Sequence, residues 1–553
     1  MLYSPESIRC WTSVDGIENV PIGFARREDM MNVLRSGICA ISCVLLSHHP
    51  AFAAGRSCES LRSQALPNTT VSLAESVAAG SFVPPAVAGG RGASQGEPFR
   101  NLPAFCRVAA TLKPTSDSDI KIEVWLPSSG WNGKFQAVGN GGWGGVISYA
   151  AMGEALRRGY ATSSTDTGHV GGSGSFALGH PEKLIDYAYR SEHEMTVKAK
   201  KIIAAYFGDG PKRSYWNGCS AGGRQGLKEA QRYPEDFDGI VAGAPAADWT
   251  GRATASMRVA HAVHKDEASY IPSTLFPIVH NAVLEACDAL DGVKDGVLED
   301  PARCTFDPKV LTCKGADHSA CLTAPQVEAV RTIYSAAINP ETKREITGLA
   351  PGSELGWATW GGPQPLGIAF DHFKYVVFKD PNWDYRTFNA DRDIAAAERI
   401  DRNTINALDP NLQRFFDRGG KLLQYHGWSD PQISPGNSTQ YYQRVAERIG
   451  GHDRVQRSYR LFMVPGMAHC GGGEGPNSFD MVGALEQWVE KGQAPERIVA
   501  SRRREATIDR TRPLCPYPQV ATFKGTGSTD DAASFVCSLS GGQTESRQPR
   551  PRH

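Results

Sequence analysis

Gly218-Cys219-Ser220-Ala221-Gly222 fits G-x-S-x-G, the pattern of a serine presented on a sharp turn. A hydroxyl is a weak nucleophile unless a base takes its proton and a third group orients the base. Glycines on both sides of such a serine let a strand and a helix approach closely, and the helix amino terminus favours negative charge there. Downstream, Asp430 closes Leu423-Gln424-Tyr425-His426-Gly427-Trp428-Ser429-Asp430, and His469 closes Val464-Pro465-Gly466-Met467-Ala468-His469. Serine, acid, histidine is the chain order expected of a strand–turn–helix serine. Ser220, Asp430 and His469 are therefore the candidate nucleophile, orienting acid and base. Rival histidines fit less well. His426 begins the Asp430 loop and can equally be a packing residue. His261, His264 and His372 fall in a central segment of different character, and His169 and His180 precede the serine. Read blandly, Asp430 is a turn acid before Pro431 and His469 is a loop histidine.

One coincidence weighs against the bland reading. Cys219 precedes the serine and Cys470 follows the histidine. If Ser220 and His469 meet, a Cys219–Cys470 bridge can tie the nucleophile to its base. The oxyanion of acyl transfer needs two backbone donors. The Ala221 N–H, next after the nucleophile, is one candidate. The other is Gly142, in the run Gly139 to Gly145. That run lacks the Lys-Ser/Thr ending of a phosphate loop. A second cluster, Asp288, Asp291 and Asp295, shares one turn with Gly292 and Gly296. Hard oxygen ligands on a tight turn suit Ca²⁺, although the spacing is not that of an EF-hand. It suits a solvated acidic turn equally well.

The elements around these residues alternate. Strands are expected at 121–126, 134–138, 160–162, 213–216, 239–242, 421–425 and 460–464. Helices are expected at 148–158, 187–207, 222–233, 437–449 and 479–489, from apolar residues at helical spacing. This is an α/β pattern with a mostly parallel sheet flanked by helices. The alternation stops near Pro245 and resumes near Arg418. The predicted organisation is a leader and signal peptide over 1–53, a first part of the core over 54–245, and an inserted lid domain carrying the acidic loop over 246–415. A second part of the core covers 416–540, and a disordered polar tail 541–553. Within the first part, residues 54–105 read as an irregular leading segment.

A short basic start, the apolar run GICAISCVLL and Ala51-Phe52-Ala53 form a secretory signal, with Ala54 as the first mature residue. Three of the thirteen cysteines precede that point, which leaves ten to pair in an oxidising compartment. A hydrophobic share of 41% excludes wholesale disorder. Lys+Arg and Asp+Glu stand at 59 each, so nothing in the charge recruits nucleic acid or an anionic membrane. No apolar stretch reaches the ~18 residues of a membrane-spanning helix. The expected partner is a small molecule, and the expected location is the periplasm or the exterior.

These residues resemble the tannase and feruloyl esterase family of α/β-hydrolases. The resemblance rests on Cys219-Ser220-Ala221-Gly222-Gly223-Arg224, Gly427-Trp428-Ser429-Asp430 and Pro465-Gly466-Met467-Ala468-His469-Cys470, with Gly239 to Pro245, the Cys287 loop and Arg512 to Pro518 in support. It runs from about Cys58 to Cys537. It implies an α/β-hydrolase fold with a large lid, and a carboxylic ester hydrolase with a Ser220–Asp430–His469 triad. Gly142 and Ala221 match the oxyanion donors. Asp288, Asp291 and Asp295 match structural calcium ligands, joined by the carbonyls of Val293 and Val297. The implied disulfides are Cys58–Cys106, Cys219–Cys470, Cys287–Cys304, Cys313–Cys321 and Cys515–Cys537.

The family includes a hydrolase of mono(2-hydroxyethyl) terephthalate, whose lid arginine holds the substrate carboxylate. The corresponding stretch here, 357–388, has Arg386 as its only arginine. Esters of phenolic acids such as gallate or hydroxycinnamate are therefore expected ahead of terephthalate monoesters. A non-catalytic polyphenol- or carbohydrate-binding protein is a further alternative, which an intact triad disfavours, and a secreted peptidase is another, which peptide substrates would separate. Trp357, Trp360, Phe370, Phe373, Tyr375, Phe378, Trp383 and Tyr385 are expected both to pack the lid and to line an acyl pocket for a planar acid.

Overall fold

A computed structural model describes residues 56–85, 99–315 and 319–539. The signal reading of 1–53 and the polar tail from 541 lie outside those residues. Nine strands form the main sheet: β1 Thr69–Val77, β2 Phe105–Leu112, β3 Ile120–Pro127, β4 Lys134–Val138, β5 Ala161–Thr165, β6 Arg213–Cys219, β7 Gly239–Gly243, β10 Lys421–Gly427 and β11 Tyr459–Val464. Their order is β1-β2-β3-β5-β4-β6-β7-β10-β11. Pairing is parallel from β5 through β11 and antiparallel from β1 through β3 to β5. Three short ribbons complete the strands: β8 Ala337–Ile338 with β9 Glu345–Ile346, β12 Ile498–Arg504 with β13 Thr507–Leu514, and β14 Gln519–Phe523 with β15 Phe535–Leu539.

Both faces of the parallel region are covered, so β5 and β7 are buried at every position rather than alternating. Successive side chains still divide between the faces. Ile240, Leu422 and Leu461 enter one core, packed by the helices Ser191–Phe207, Ala221–Arg232 and Gly436–Ile449. Val241, Leu423 and Phe462 enter the other with the helix Met481–Lys491. This places the carboxyl ends of β4, β6, β10 and β11, and the turns after them, along one edge.

One expectation needs correction, and another divides. Residues 54–105 are not wholly irregular, because β1 lies there as an edge strand. Its Ser/Thr/Ala-rich sequence buries only Val71, so no apolar alternation advertises it. The aromatic stretch of the lid is mainly core. Trp357 and Trp360 join Phe276, Val330 and Ile333 in a separate hydrophobic centre formed by the chain segment that connects β7 to β10. Phe373 packs with Met257 and Phe388, and Phe370, Phe378, Trp383 and Tyr385 lean on that group. Aromatic rings bury large areas, and here the lid's own stability takes most of them.

Candidate active site

Ser220 stands at the turn between β6 and the helix Ala221–Arg232, with φ 63° and ψ −122°. Its N–H donates to the Gly243 carbonyl at 2.9 Å, and its carbonyl accepts from Ala246 N–H at 3.0 Å, so the strained residue is held from both sides. The neighbouring glycines are sterically required. A Cβ on Gly218 would come within 2.6 Å of the Gly222 carbonyl carbon, and one on Gly139 within 2.5 Å of Gly222 Cα. The turn therefore draws the glycine run after β4 against the start of the helix.

Asp430 follows β10 and is fully buried. Its Oδ1 accepts from Gln432 N–H at 2.7 Å and Ile433 N–H at 3.0 Å. Its Oδ2 lies 2.7 Å from His469 Nδ1 and 3.1 Å from His426 Nε2. Burial alone would raise this carboxyl. The hydrogen bonds of the two histidines outweigh it and hold Asp430 far below the usual carboxylate range. With Nδ1 engaged, His469 presents Nε2 as its free nitrogen. Cys219 and Cys470 are disulfide-bonded with Cα atoms 6.0 Å apart, so Ser220 and His469 are each one residue from a shared covalent link. The other four bridges are Cys58–Cys106, Cys287–Cys304, Cys313–Cys321 and Cys515–Cys537, as the resemblance implied.

The candidate oxyanion donors lie on the same edge. Ala221 is the first helical residue, so its N–H has no intrahelical acceptor. Gly142 has φ 55°, and its carbonyl accepts from the Tyr187 hydroxyl at 2.8 Å. A buried network holds this loop. Asn140 Nδ2 donates to the carbonyls of Val146 at 2.7 Å and Thr165 at 2.8 Å. The Asn140 carbonyl accepts from Gly222 N–H at 2.7 Å. Gln225 Oε1 accepts from Asn140 N–H at 3.0 Å, and Gln225 Nε2 donates to Glu192.

The rival histidines separate from the site chemistry. His261 is exposed. His264 Nε2 meets the Gly362 carbonyl, His169 stacks on Phe176, and His180 pairs with Asp117. His372 is fully buried against Trp143. His426 is a second partner of Asp430, a role the sequence left open. The apolar surroundings of Ala221 include Trp143, Tyr187 and Ile433, with Trp249, Ile368 and Val376 from the lid. Trp143 was legible only as an aromatic within a glycine run, and Tyr187 carried no motif.

In the acidic loop, Asp288 accepts from the N–H groups of Asp295 and Gly296, and Asp291 accepts from Val293 N–H. Asp295 pairs with Arg512. Glu299, which the sequence reading passed over, is buried close by with Oε2 unpartnered. Burial pushes Asp291 up to about 6 and Glu299 up to about 8. Among the described residues no three His, Cys, Asp or Glu side chains stand arranged to grip a metal ion. Asp288 and Asp291 offer oxygen donors of the kind a hard cation takes, whereas Asp295 is already paired with Arg510 as well as Arg512.

The strand order, the turn at Ser220 and the positions of Asp430 and His469 after later strands define an α/β-hydrolase fold. A sequence profile described as tannase and feruloyl esterase matches residues 106–538. An uncharacterized esterase of Xanthomonas campestris is 38% identical over 92% of this chain and 95% of its own length. A probable feruloyl esterase B-1 of Aspergillus fumigatus is 37% identical over 78% of this chain and 85% of its own. The crystal structure of feruloyl esterase B from Aspergillus oryzae superposes with a TM-score of 0.82 at 34% identity, covering 87% of this chain and 99% of that one. The chain belongs to the tannase and feruloyl esterase family and is a carboxylic ester hydrolase.

Proposed function

We propose that this protein is a secreted serine esterase that hydrolyses esters of aromatic phenolic acids through an acyl-enzyme. The observation that carries the reading is the Asp430–His469 contact at 2.7 Å beside the Cys219–Cys470 bridge, which tethers the residue after His469 to the residue before Ser220. Ser220 Oγ attacks the ester carbonyl while His469 Nε2 takes the hydroxyl proton. Asp430 holds the ring and stabilises its charged form. The N–H groups of Ala221 and Gly142 receive the developing oxyanion. As the intermediate collapses, His469 returns the proton to the leaving alcohol. Water then attacks the acyl-enzyme by the same route and releases the acid.

The phenolic-acid preference rests on relatives named as feruloyl esterases and on the aromatic residues near Ala221. Arg386 offers little to a substrate carboxylate, because its side chain is 74% exposed and paired with Asp384. Export rests on the Ala51-Phe52-Ala53 signal and five disulfides; sequencing the secreted protein from Ala54 tests it. A structural Ca²⁺ held by Asp288, Asp291 and Asp295, with the carbonyls of Val293 and Val297, is part of the same proposal. The ion would neutralise the crowded carboxylates and takes no part in ester cleavage. The deciding experiment is a panel of gallate, ferulate, chlorogenate and terephthalate esters with wild type and Ser220→Ala. Expected is turnover of the phenolic esters, with kcat lower by at least about a thousandfold in the variant. Near wild-type turnover by Ser220→Ala overturns the nucleophile, and preference for aliphatic or peptide substrates overturns the specificity.

A further inference from the structure

Arg252 is a buried cation with no anion paired to it among the described residues. It lies on the helix Trp249–Val263, only 4% exposed. Its Nε donates to the Gln432 carbonyl at 2.8 Å. Among the described residues it has no carboxylate partner, and its terminal nitrogens meet no acceptor. A guanidinium has five N–H donors, and here one is used. Arginine is rarely left so, because a buried charge is costly unless something pairs with it.

Two neighbours locate it. Burial lowers Arg252 to about 10, and the charge of Asp430, with the Tyr187 phenol, acts in the opposite direction. Asp430 is the acid of the candidate triad, and Tyr187 fixes the Gly142 peptide through its hydroxyl. Gln432, which receives Arg252 Nε, is two residues beyond Asp430. Arg252 thus stands within electrostatic reach of both the acid loop and the oxyanion loop, one helical turn from Trp249. Asp430 does not neutralise it, since four donors already occupy that carboxylate. The donors on its terminal nitrogens meet no acceptor among the described residues.

We infer that Arg252 is a specificity-determining residue that receives an acceptor oxygen carried on the aromatic ring of the acyl group, a phenolic hydroxyl in the substrates proposed above. This rests on the proposed function, and it deepens it by naming the group that distinguishes a phenolic acid from an unsubstituted one. A ring carboxylate presents the same acceptor chemistry, so the test includes one. A hydroxylated ring leaves no donor orphaned, whereas an unsubstituted ring does, and sites of this kind reject the lacking analogue strongly.

The experiment measures kcat/KM for methyl cinnamate, methyl 4-hydroxycinnamate and monomethyl terephthalate in wild type, Arg252→Met and Arg252→Lys. Wild type is expected to favour the hydroxylated ester over methyl cinnamate by about tenfold or more. Arg252→Met is expected to bring that ratio close to one, whatever it does to absolute rates. Arg252→Lys should retain part of it, since an ammonium offers a point charge but no fork. If the terephthalate ester is the preferred substrate and Arg252→Met abolishes that preference, the acceptor oxygen is a carboxylate and the assignment of Arg252 stands. A purely structural arginine, acting through Gln432 on Asp430, would slow all three esters alike. Ratios unchanged in both variants overturn the inference while leaving the esterase reading intact. Absence of turnover of every ester by wild type overturns the function itself. Should Arg252→Met fail to fold, the ratios in Arg252→Lys decide alone.

Discussion

His426 Nε2 lies 3.1 Å from the same Asp430 Oδ2 that His469 Nδ1 approaches at 2.7 Å. It also lies 3.1 Å from the Ile433 carbonyl. Two acceptors converge on that nitrogen, so it carries the proton, and Nδ1 accepts from the Ser438 hydroxyl at 2.7 Å. His426 therefore fixes the acid from behind while His469 works in front of it.

Removing that support should be felt in catalysis. Asp430 is held below the usual carboxylate range, so the charged form and the stability it confers are present above the ordinary value and are lost only as pH falls through the lowered one. His426→Ala deletes one of the donors that lower it. Expected is a kcat loss of about tenfold to a hundredfold with KM little changed, and acid unfolding at a higher pH than in wild type. Unchanged kcat and an unchanged acid-unfolding midpoint would show that His426 only packs.

The Cys219–Cys470 bridge gives a second test. It joins residues 251 apart in sequence. In the chain-entropy account, closing a loop that long stabilises by on the order of 5 kcal/mol. Its placement suggests a further effect on catalytic geometry. Replacing both cysteines by Ala should lower the melting temperature, and kcat should fall further than the loss of folded protein explains. Peptide mapping without reduction should recover the linked pair from wild type. A free Cys219 thiol in active enzyme would refute the bridge.

Much of this arrangement was legible because the residues with chemistry carry local signatures. The serine turn needs glycines at fixed offsets, and the parallel strands that deliver Asp430 and His469 are apolar runs bounded by turn residues. β1 was not legible, because an edge strand with one buried side chain has no apolar pattern. The supporting residues were not legible for another reason. Tyr187 reaches Gly142, and Arg252 reaches Gln432, through contacts between segments far apart in sequence, to which neither spacing nor composition points. Which lid aromatics pack the core was not legible either, because composition cannot separate a ring that packs a core from one that lines a cavity.

The acidic loop makes a prediction that links the proposed ion to activity. Val297, at the end of that loop, lies against the turn that leads to His469, where a Cβ on Gly466 would come 2.5 Å from Val297 Cγ1. An ion that orders the loop would therefore also back the histidine turn. Exhaustive chelation, or Asp291→Asn, should lower the melting temperature, because the ion binds the folded chain and not the unfolded one. Activity should fall in step, and added Ca²⁺ should restore both after chelation. Unchanged stability after chelation, with no calcium by elemental analysis, would remove the ion from the proposal.

The network behind the oxyanion loop predicts a pH dependence of opposite sign to that of Asp430. Glu192 is buried at the base of this network, where it accepts from Gln225, which in turn fixes Asn140. Burial pushes Glu192 up to about 7, although the nearby Arg224 charge and its own hydrogen bonds act the other way. A carboxyl raised in the folded state contributes its stability fully below the unfolded value of about 4.3. That contribution is lost as pH rises through the folded value, so the window runs from about 4 to about 7. Wild type should therefore lose on the order of 1–3 kcal/mol from this group between pH 5 and pH 8. Glu192→Gln keeps an acceptor for Gln225 but cannot ionise, so its stability should vary less over that interval. Chemical denaturation of both proteins at pH 5 and pH 8 reads the difference directly. The variant should also retain ester hydrolysis at pH 8, because Gln225 still holds Asn140 and with it the loop that carries Gly142. Equal pH dependence in the two proteins would show that Glu192 stays in one protonation state throughout, and would detach it from the alkaline behaviour of the site.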